Sequence, residues 1–256
     1  MKLSILGARV IDPSSGLDQI TDIHVEACKI VALGAAPAGF TAVETIDAQG
    51  LVAAPGLVDL NVALREPGYS RKGTIASETR AAAAGGVTSL CCPPKTRPVL
   101  DTSAVAELIL DRAREAGNTK VFPIGALSKG LDGEQLAELV ALRDAGCVAF
   151  GNGLESFRNT RTLCRALDYA ATFDLTVIFN SQDHDLADGG LAHEGATASF
   201  LGLPGIPETA ETVALARDLL LVEQTGVRAH FSQLTSARGV ALIAQAQARG
   251  LKVTAD

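Results

Sequence analysis

The chain has 256 residues, of which 47% are hydrophobic and 20% are charged, and its formal net charge is −7. This composition is typical of a globular protein and excludes a largely disordered chain. The acidic balance argues against a nucleic-acid-binding surface and against a basic membrane anchor, so we expect a protein that binds neither nucleic acid nor membrane.

The cysteines and the amino terminus indicate the compartment. The five cysteines are odd in number and form no Cys-x-x-Cys pair, which favours reduced, mostly buried thiols over a disulfide framework. The first apolar run, residues 1–6, is too short for a signal peptide, and no stretch is long and apolar enough to cross a bilayer. We therefore expect a cytoplasmic protein.

The first fifty or so residues alternate apolar and polar positions and are interrupted by glycine and proline. The alternating segments are "KLSILGARVID", "DIHVEACKIVALG" and "AVETIDAQGLVAAPG". Period-two alternation predicts short antiparallel strands, and we assign residues 1–54 to a small β module. His24, within this module, is expected on the surface.

From residue 55 a different unit recurs, in which a short apolar run is followed by a loop, a segment with helical periodicity and usually a glycine. The apolar runs are "LVDL", "VTSLCC", "KVFPIG", "CVAFG", "LTVIFN", "VRAHFS" and "LKVTA". The predicted helices include 101–116, 134–145, 155–173, 208–225 and 236–249. Four glycines lie where a helix would be expected to end: Gly117, Gly146, Gly226 and Gly250.

Continuous apolar strands alternating with helices predict a parallel sheet buried on both faces. Seven such strands favour a (β/α)8 TIM-type barrel over residues 55–256 more than an open doubly wound sheet. No Gly-x-Gly-x-x-Gly opens a helix, which removes the main support for a dinucleotide-binding fold. Because the seventh run ends just before Asp256, the eighth strand is expected to lie beyond this chain.

The stretch "APGLVDLNVALREPG" resembles the amidohydrolase superfamily and, within it, the longer bacterial dihydroorotases. The resemblance extends to "GTIASETRAAAAGGVTSLCCPPKTRPVLD", "LADGGLAHEGATASFLGLPGIP" and "LARDLLLVEQTGVRAHFSQLTSARGVALI". It implies a metal-dependent barrel flanked by a β module that is built from both ends of the chain.

The resemblance also implies where metal ligands would lie, and this chain lacks each ligand that can be compared. The first strand of active relatives ends in His-x-His, but here those positions are Asn61 and Ala63. A carboxylate that bridges two zinc ions after the fourth strand corresponds to Asn152. Histidine ligands after the fifth and sixth strands correspond to Asn180 and Gln233.

Two further positions correspond to substrate-binding residues of the relatives. Arg65 is retained at the position that contacts the substrate carboxylate, and Lys95 replaces a substrate-binding asparagine. We interpret both as vestigial, and a fixed ammonium group at Lys95 would repel dications. That Lys95 is simply a solvated loop residue is an equally good interpretation.

Zinc requires imidazole, thiolate or carboxylate donors, usually three or four from the protein. An asparagine or glutamine amide is a weak neutral donor and alanine offers none, so we predict no metal cofactor and no catalytic residue. A relocated site in the acidic loop "SQDHDLADGGLAHEG" is a weaker alternative, because such loops are usually just solvated. His230, within "VRAHFS", is expected to be a core or supporting histidine rather than a ligand.

Three functions remain open at this point. The resemblance implies a catalytically inactive dihydroorotase homologue, kept as the non-catalytic subunit of aspartate carbamoyltransferase in a hetero-oligomer with its catalytic chain. The alternative is an active zinc-dependent dihydroorotase or related cyclic amidohydrolase. A third possibility is a binding module in which Arg65 and Lys95 hold a small anionic ligand.

Overall fold

The computed structural model describes residues 1–155, 157 and 159–256. These residues form two compact units, 1–57 and 58–256. Among the described residues, no helix combines the length and the apolar character that a bilayer-crossing segment needs.

The amino-terminal unit is a β-sheet in which β1 is the central strand. Its five strands are β1 (Lys2–Asp12), β2 (Leu17–Glu26), β3 (Lys29–Leu33), β4 (Glu44–Asp47) and β5 (Val52–Ala53). The pairs β1–β2 and β2–β3 are antiparallel as predicted, but β4 and β5 both pair with β1 in parallel. The purely antiparallel prediction was therefore wrong, because the chain crosses over after β3 instead of turning back tightly.

The prediction for His24 was also wrong. Its side chain is buried, with 4% exposure, and its ring nitrogens lie 2.9 Å from the hydroxyl of Ser4 and 2.9 Å from the carbonyl of Gly34. A buried imidazole is tolerated where both nitrogens have hydrogen-bond partners, and this is the case here.

The second unit is built on a seven-stranded sheet, and all seven predicted strands are confirmed. In chain order they are β6 (Leu57–Asp59), β7 (Val87–Cys92), β8 (Lys120–Gly125), β9 (Ala149–Phe150), β10 (Thr176–Phe179), β13 (Arg228–Phe231) and β14 (Val253–Ala255). The spatial order is β14-β13-β10-β9-β8-β7-β6, and parallel pairings run from β7 to β14.

Helices alternate with these strands, as the repeating pattern predicts. They are α1 (Ile75–Ala84), α2 (Ser103–Ala116), α3 (Leu139–Asp144), α4 (Thr160–Thr172), α5 (His184–Ala187), α6 (Ala196–Phe200), α7 (Glu208–Thr225) and α8 (Ala237–Ala248). The short strands β11 (Ala192–His193) and β12 (Gly205–Ile206) pair with each other between β10 and α7. The glycines after α2 and α7, Gly117 and Gly226, adopt the predicted left-handed conformation, with φ of 63° and 68°.

Two predicted helices begin later than expected, and one helix was not predicted. Helix α1 was not among the predicted helices, although Thr74 and Ser77 form a capping box at its start. The predicted helix 134–145 begins only at Leu139, because residues 135–137 pair back onto 127–129 through an antiparallel bridge. The predicted helix 155–173 begins at Thr160, where the Asn159 side chain accepts hydrogen bonds from the first turn.

The core of this unit lies on both faces of the sheet, as continuous apolar strands require. The rings of Phe179 and Phe231, on adjacent strands, stack with centroids 5.1 Å apart. Phe150 and Leu167 are fully buried beside them, at 1% and 0% exposure. This packing fixes the strand ends from which the candidate site is built.

Candidate functional site

A cavity of about 460 Å3 opens where the strands of the second unit end. Asn61 follows β6, Cys92 ends β7, Asn180 follows β10 and Gln233 follows β13, and all four line the cavity. Because the carboxyl ends of parallel strands meet at one edge of a sheet, residues far apart in sequence converge there.

The structure brings six of the seven sequence-predicted site positions together around this cavity. They are Asn61, Ala63, Arg65, Lys95, Asn180 and Gln233. The seventh, Asn152, does not line the cavity and has a different role.

Asn180 and Gln233 are hydrogen bonded to each other at 2.9 Å, from Nδ2 of Asn180 to Oε1 of Gln233. The pair spans adjacent strand ends, since β10 and β13 are hydrogen-bonded neighbours. Gln233 has a left-handed backbone, with φ of 63°, and its N–H donates to the Asp256 carboxylate at 2.5 Å. A non-glycine residue in this region is uncommon and is held by its surroundings, here by the bond from the Gln233 backbone to Asp256.

Asn152 is part of a buried hydrogen-bond network instead of the cavity wall. Its Oδ1 accepts from the N–H groups of Leu127 and Ser128 at 3.1 and 3.2 Å, and its Nδ2 donates to the Ser128 hydroxyl at 2.8 Å. The same hydroxyl accepts from the N–H of Gly133 at 2.9 Å. Both polar atoms of the Asn152 amide are therefore used to hold the segment that follows β8.

The residues at the cavity do not fit a zinc ion. Within the described ranges, no three histidine, cysteine, aspartate or glutamate side chains lie close enough together to hold a metal. The groups at the implied ligand positions are amides and one methyl group, whereas zinc needs anionic or imidazole donors. Cys92 lines the cavity, but burial raises the pKa of its thiol to about 12, so it is protonated at neutral pH.

Carboxylates next to the cavity already bind backbone N–H groups. Asp59 accepts from the N–H of Asn61 at 3.0 Å, and Glu66 accepts from the N–H of Ile75 at 2.9 Å, at the start of α1. Asp256 accepts from Gln233, as described above. Each of these carboxylates holds local backbone geometry, and within the described residues none has two further histidine, cysteine or carboxylate groups near enough to complete a metal site.

Arg65 and Lys95 both line the cavity. Arg65 has a left-handed backbone, with φ of 65°, and its carbonyl accepts from the N–H of Tyr69 at 2.7 Å. The Lys95 ammonium group contacts the Glu155 carboxylate at 2.6 Å, and these side chains are 62% and 44% exposed. Glu155 compensates the charge of Lys95, so Lys95 alone does not make the mouth strongly cationic.

The acidic loop suggested as another source of ligands is organised differently. Asp183 begins α5, and its carboxylate accepts from the N–H of Leu186 at 3.0 Å.

His230 lies 2.9 Å from the Thr254 hydroxyl and 3.4 Å from the Asp256 carboxylate. Both nitrogens of the His230 ring thus have protein partners, which fits a supporting histidine.

Sequence reasoning missed several residues that shape this site. Ser128, which completes the Asn152 network, carried no sequence signal because its partner is 24 residues away. Glu155 lies in the loop after β9 and has no motif around it. Glu66 and Tyr69 line the cavity, and Glu66 is within the "LREPG" stretch, so proximity to Arg65 could have identified it.

The chain was compared with known protein families and curated proteins. Residues 50–238 match the family model described as dihydro-orotase-like. The chain is 79% identical to a "Dihydroorotase-like protein" of Pseudomonas putida and 41% identical to a "Dihydroorotase" of Trichlorobacter lovleyi. In both comparisons all of this chain is aligned, and it spans 60% of the relative's length.

Solved structures with the same fold include an L-hydantoinase (dihydropyrimidinase) from Arthrobacter aurescens, with a TM-score of 0.80 and 23% sequence identity. That alignment covers 99% of this chain and 57% of the other. A D-hydantoinase matches with a TM-score of 0.73 and 20% identity, over 100% of this chain and 57% of the other. These similarities confirm the predicted barrel-type α/β fold with an amino-terminal β module.

Proposed function

The chain belongs to the dihydroorotase-like family, and from this premise we propose that it is a catalytically inactive member that acts as the non-catalytic subunit of aspartate carbamoyltransferase. In that role it would serve pyrimidine biosynthesis by binding the catalytic chain in a hetero-oligomer. The partner comes from the family resemblance, and the loss of activity comes from the chemistry of the cavity.

The observation that carries the proposal is the set of side chains at the cavity mouth. Hydrolysis of a cyclic amide in this family depends on a metal that activates water and polarises the carbonyl group. Asn61, Asn180 and Gln233 offer neutral amides, Ala63 offers a methyl group, and the Asn180 and Gln233 amides bind each other. Such a site supplies neither a metal hydroxide nor a Lewis acid.

The role of Asn152 supports the same conclusion. The implied metal-bridging position is used here to satisfy two buried N–H groups and the Ser128 hydroxyl. A subunit that is retained for its surface needs a stable folded core but no reactive groups. The structural role of Asn152 fits this requirement.

Two further parts of the proposal concern cofactor and compartment. We propose that the protein uses no metal cofactor, because its donor set does not suit one. The five cysteines are free thiols, which suits the reducing cytoplasm in which such a subunit would work.

The test combines assembly with catalysis. The full-length protein is mixed with the carbamoyltransferase catalytic chain of the same organism, and the size of the product is measured by light scattering during gel filtration. We expect a larger complex, altered transcarbamoylase activity and no turnover of dihydroorotate in the presence of zinc. No change in size or transcarbamoylase activity would contradict the partner, and zinc-dependent turnover would contradict the inactive role.

A further inference from the structure

The chain between β10 and α7 forms a surface excursion, residues 181–207, which contains α5, β11, α6 and β12. Ala198 is the one buried residue among 184–205. A folded segment of this length usually buries more of its side chains. The apolar side chains of this segment therefore do not form a hydrophobic core.

The excursion exposes large apolar side chains. Phe200 is 89% exposed, and four leucines are also exposed, at 72% for Leu191, 59% for Leu201, 42% for Leu186 and 38% for Leu203. Backbone hydrogen bonds join Leu203 to Ala198 and Leu191 to Pro204, both at 2.9 Å. The turn after α6 therefore lies beside the start of β11, and we call the exposed apolar residues of these two segments the patch; exposed apolar residues that are grouped together mark interaction sites.

The backbone that carries this patch is well organised. Strands β11 and β12 pair through Ala192 with Gly205 and through His193 with Ile206. The N–H of Asp183 donates to the carbonyl of Ala210 at 2.6 Å, which ties the excursion to the start of α7. The patch is thus displayed on a preformed surface, which lowers the entropy lost on binding.

Charge distinguishes the excursion from the rest of the chain. Residues 181–207 contain four acidic residues and no lysine or arginine, so they carry −4 of the net charge of −7. The next two acidic residues, in the first turn of α7, have partners: Glu208 lies 3.7 Å from Arg238, and Glu211 accepts hydrogen bonds from Thr235 and Ser236. The ion pairs of the described residues include none with Asp183, Asp185, Asp188 or Glu194.

This charge selects between possible partners for the patch. Two excursions that met face to face would bring like charges together, so a second copy of this chain is disfavoured. A protein with an apolar groove bordered by lysine or arginine is complementary both to the apolar side chains of the patch and to its negative charge.

We propose that residues 183–203 are the surface that binds the carbamoyltransferase catalytic chain, with Phe200 and Leu201 as the apolar anchors. The inference rests on the proposed function and adds the contact surface to it. It requires the catalytic chain to present an apolar groove bordered by basic side chains.

The test measures binding of full-length variants to the purified catalytic chain by calorimetry. Phe200→Ser with Leu201→Ser removes the anchors, and Asp185→Lys with Asp188→Lys reverses the charge. We expect each double variant to bind roughly tenfold or more weakly. Leu220→Ser, at a residue of α7 that is 65% exposed, and Glu107→Lys, on the exposed side of α2, are matched controls expected to bind like the wild type.

Each outcome decides one question. If the wild type binds and both double variants bind equally well, the surface assignment is wrong and the proposed function stands. If the wild type does not bind, the proposed function fails and the surface assignment fails with it. If Phe200→Ser with Leu201→Ser instead lowers the melting temperature or changes the size of the isolated protein, the patch is covered by the chain itself or by a second copy, which overturns the inference.

Discussion

The side-chain amides of Asn180 and Gln233 bind each other at 2.9 Å across two neighbouring strand ends. In relatives these two positions are implied to carry histidine ligands of a metal. In this bond the Asn180 donor and the Gln233 acceptor are partners of each other, so neither group needs a ligand as its partner. Asn152, at another position where the resemblance implies a ligand, also has a structural role, and this leads to the first prediction.

Replacing Asn152 with alanine should destabilise the protein by about 3 kcal/mol. The change leaves the buried N–H groups of Leu127 and Ser128 without their acceptor, and each such group costs about 1–3 kcal/mol. Chemical denaturation measures the effect. Asn61→Ala, at an exposed residue of the cavity, is the control and should change the free energy of unfolding by less than about 0.5 kcal/mol. Equal effects from the two variants would contradict the structural role of Asn152.

Glu211 should contribute stability that depends on pH. Burial alone raises the pKa of its carboxyl group, but hydrogen bonds from Ser236 and Thr235 outweigh this, and the pKa is lowered overall. A carboxyl group whose pKa is lowered by folding stabilises the protein above its unfolded-state pKa, and this contribution is lost as the pH falls through the folded-state pKa. Glu211→Gln should therefore cost about 1–2 kcal/mol at pH 7 and much less in acid.

The measurement is thermal unfolding of both proteins between neutral and acidic pH. Glu223→Gln provides the control, because Glu223 forms an exposed ion pair with Arg249 at 3.1 Å and such pairs contribute little. A difference between the wild type and Glu211→Gln that stays constant with pH would contradict the assigned role.

The cysteines should differ widely in reactivity. Burial raises the pKa of both Cys92 and Cys147 to about 12, whereas Cys28 is exposed. Because the thiolate is the reactive form, alkylation of the native protein near pH 8 should label Cys28 quickly and the two buried thiols only after unfolding. Peptide mapping by mass spectrometry identifies the labelled residues. Rapid labelling of Cys92 would mean that the cavity offers a thiolate after all.

Much of the fold could be predicted because the strands carry a strong local signal. Runs such as "VTSLCC" and "KVFPIG" are mostly apolar, and glycines such as Gly117 and Gly226 mark where helices end. The predicted start of helix 134–145 was wrong, because residues 135–137 bond to a segment that periodicity does not reveal.

Most of the predicted positions of the candidate site could be identified from the sequence, but the hydrogen bonds and ion pairs that they form could not. Six positions converge as the order of strand ends implies. The Asn152 side chain bonds to Ser128, and Glu155 pairs with Lys95. Both contacts join loops that are far apart in the sequence, so local patterns do not predict them. The left-handed backbones of Arg65 and Gln233 are likewise set by tertiary contacts, since neither residue favours that conformation by itself.

The most direct test of the proposal that the cavity holds no catalytic metal is the zinc content of the full-length protein after exposure to zinc and removal of loosely bound ions. The comparison is a variant carrying Asn61→His, Ala63→His, Asn180→His and Gln233→His, which supplies the imidazole donors that zinc prefers. We expect the variant to retain zinc and the wild type to retain none at this site, with no turnover of dihydroorotate by the wild type. Stoichiometric zinc in the wild type that is lost on Asn180→Ala with Gln233→Ala, together with turnover, would contradict the account.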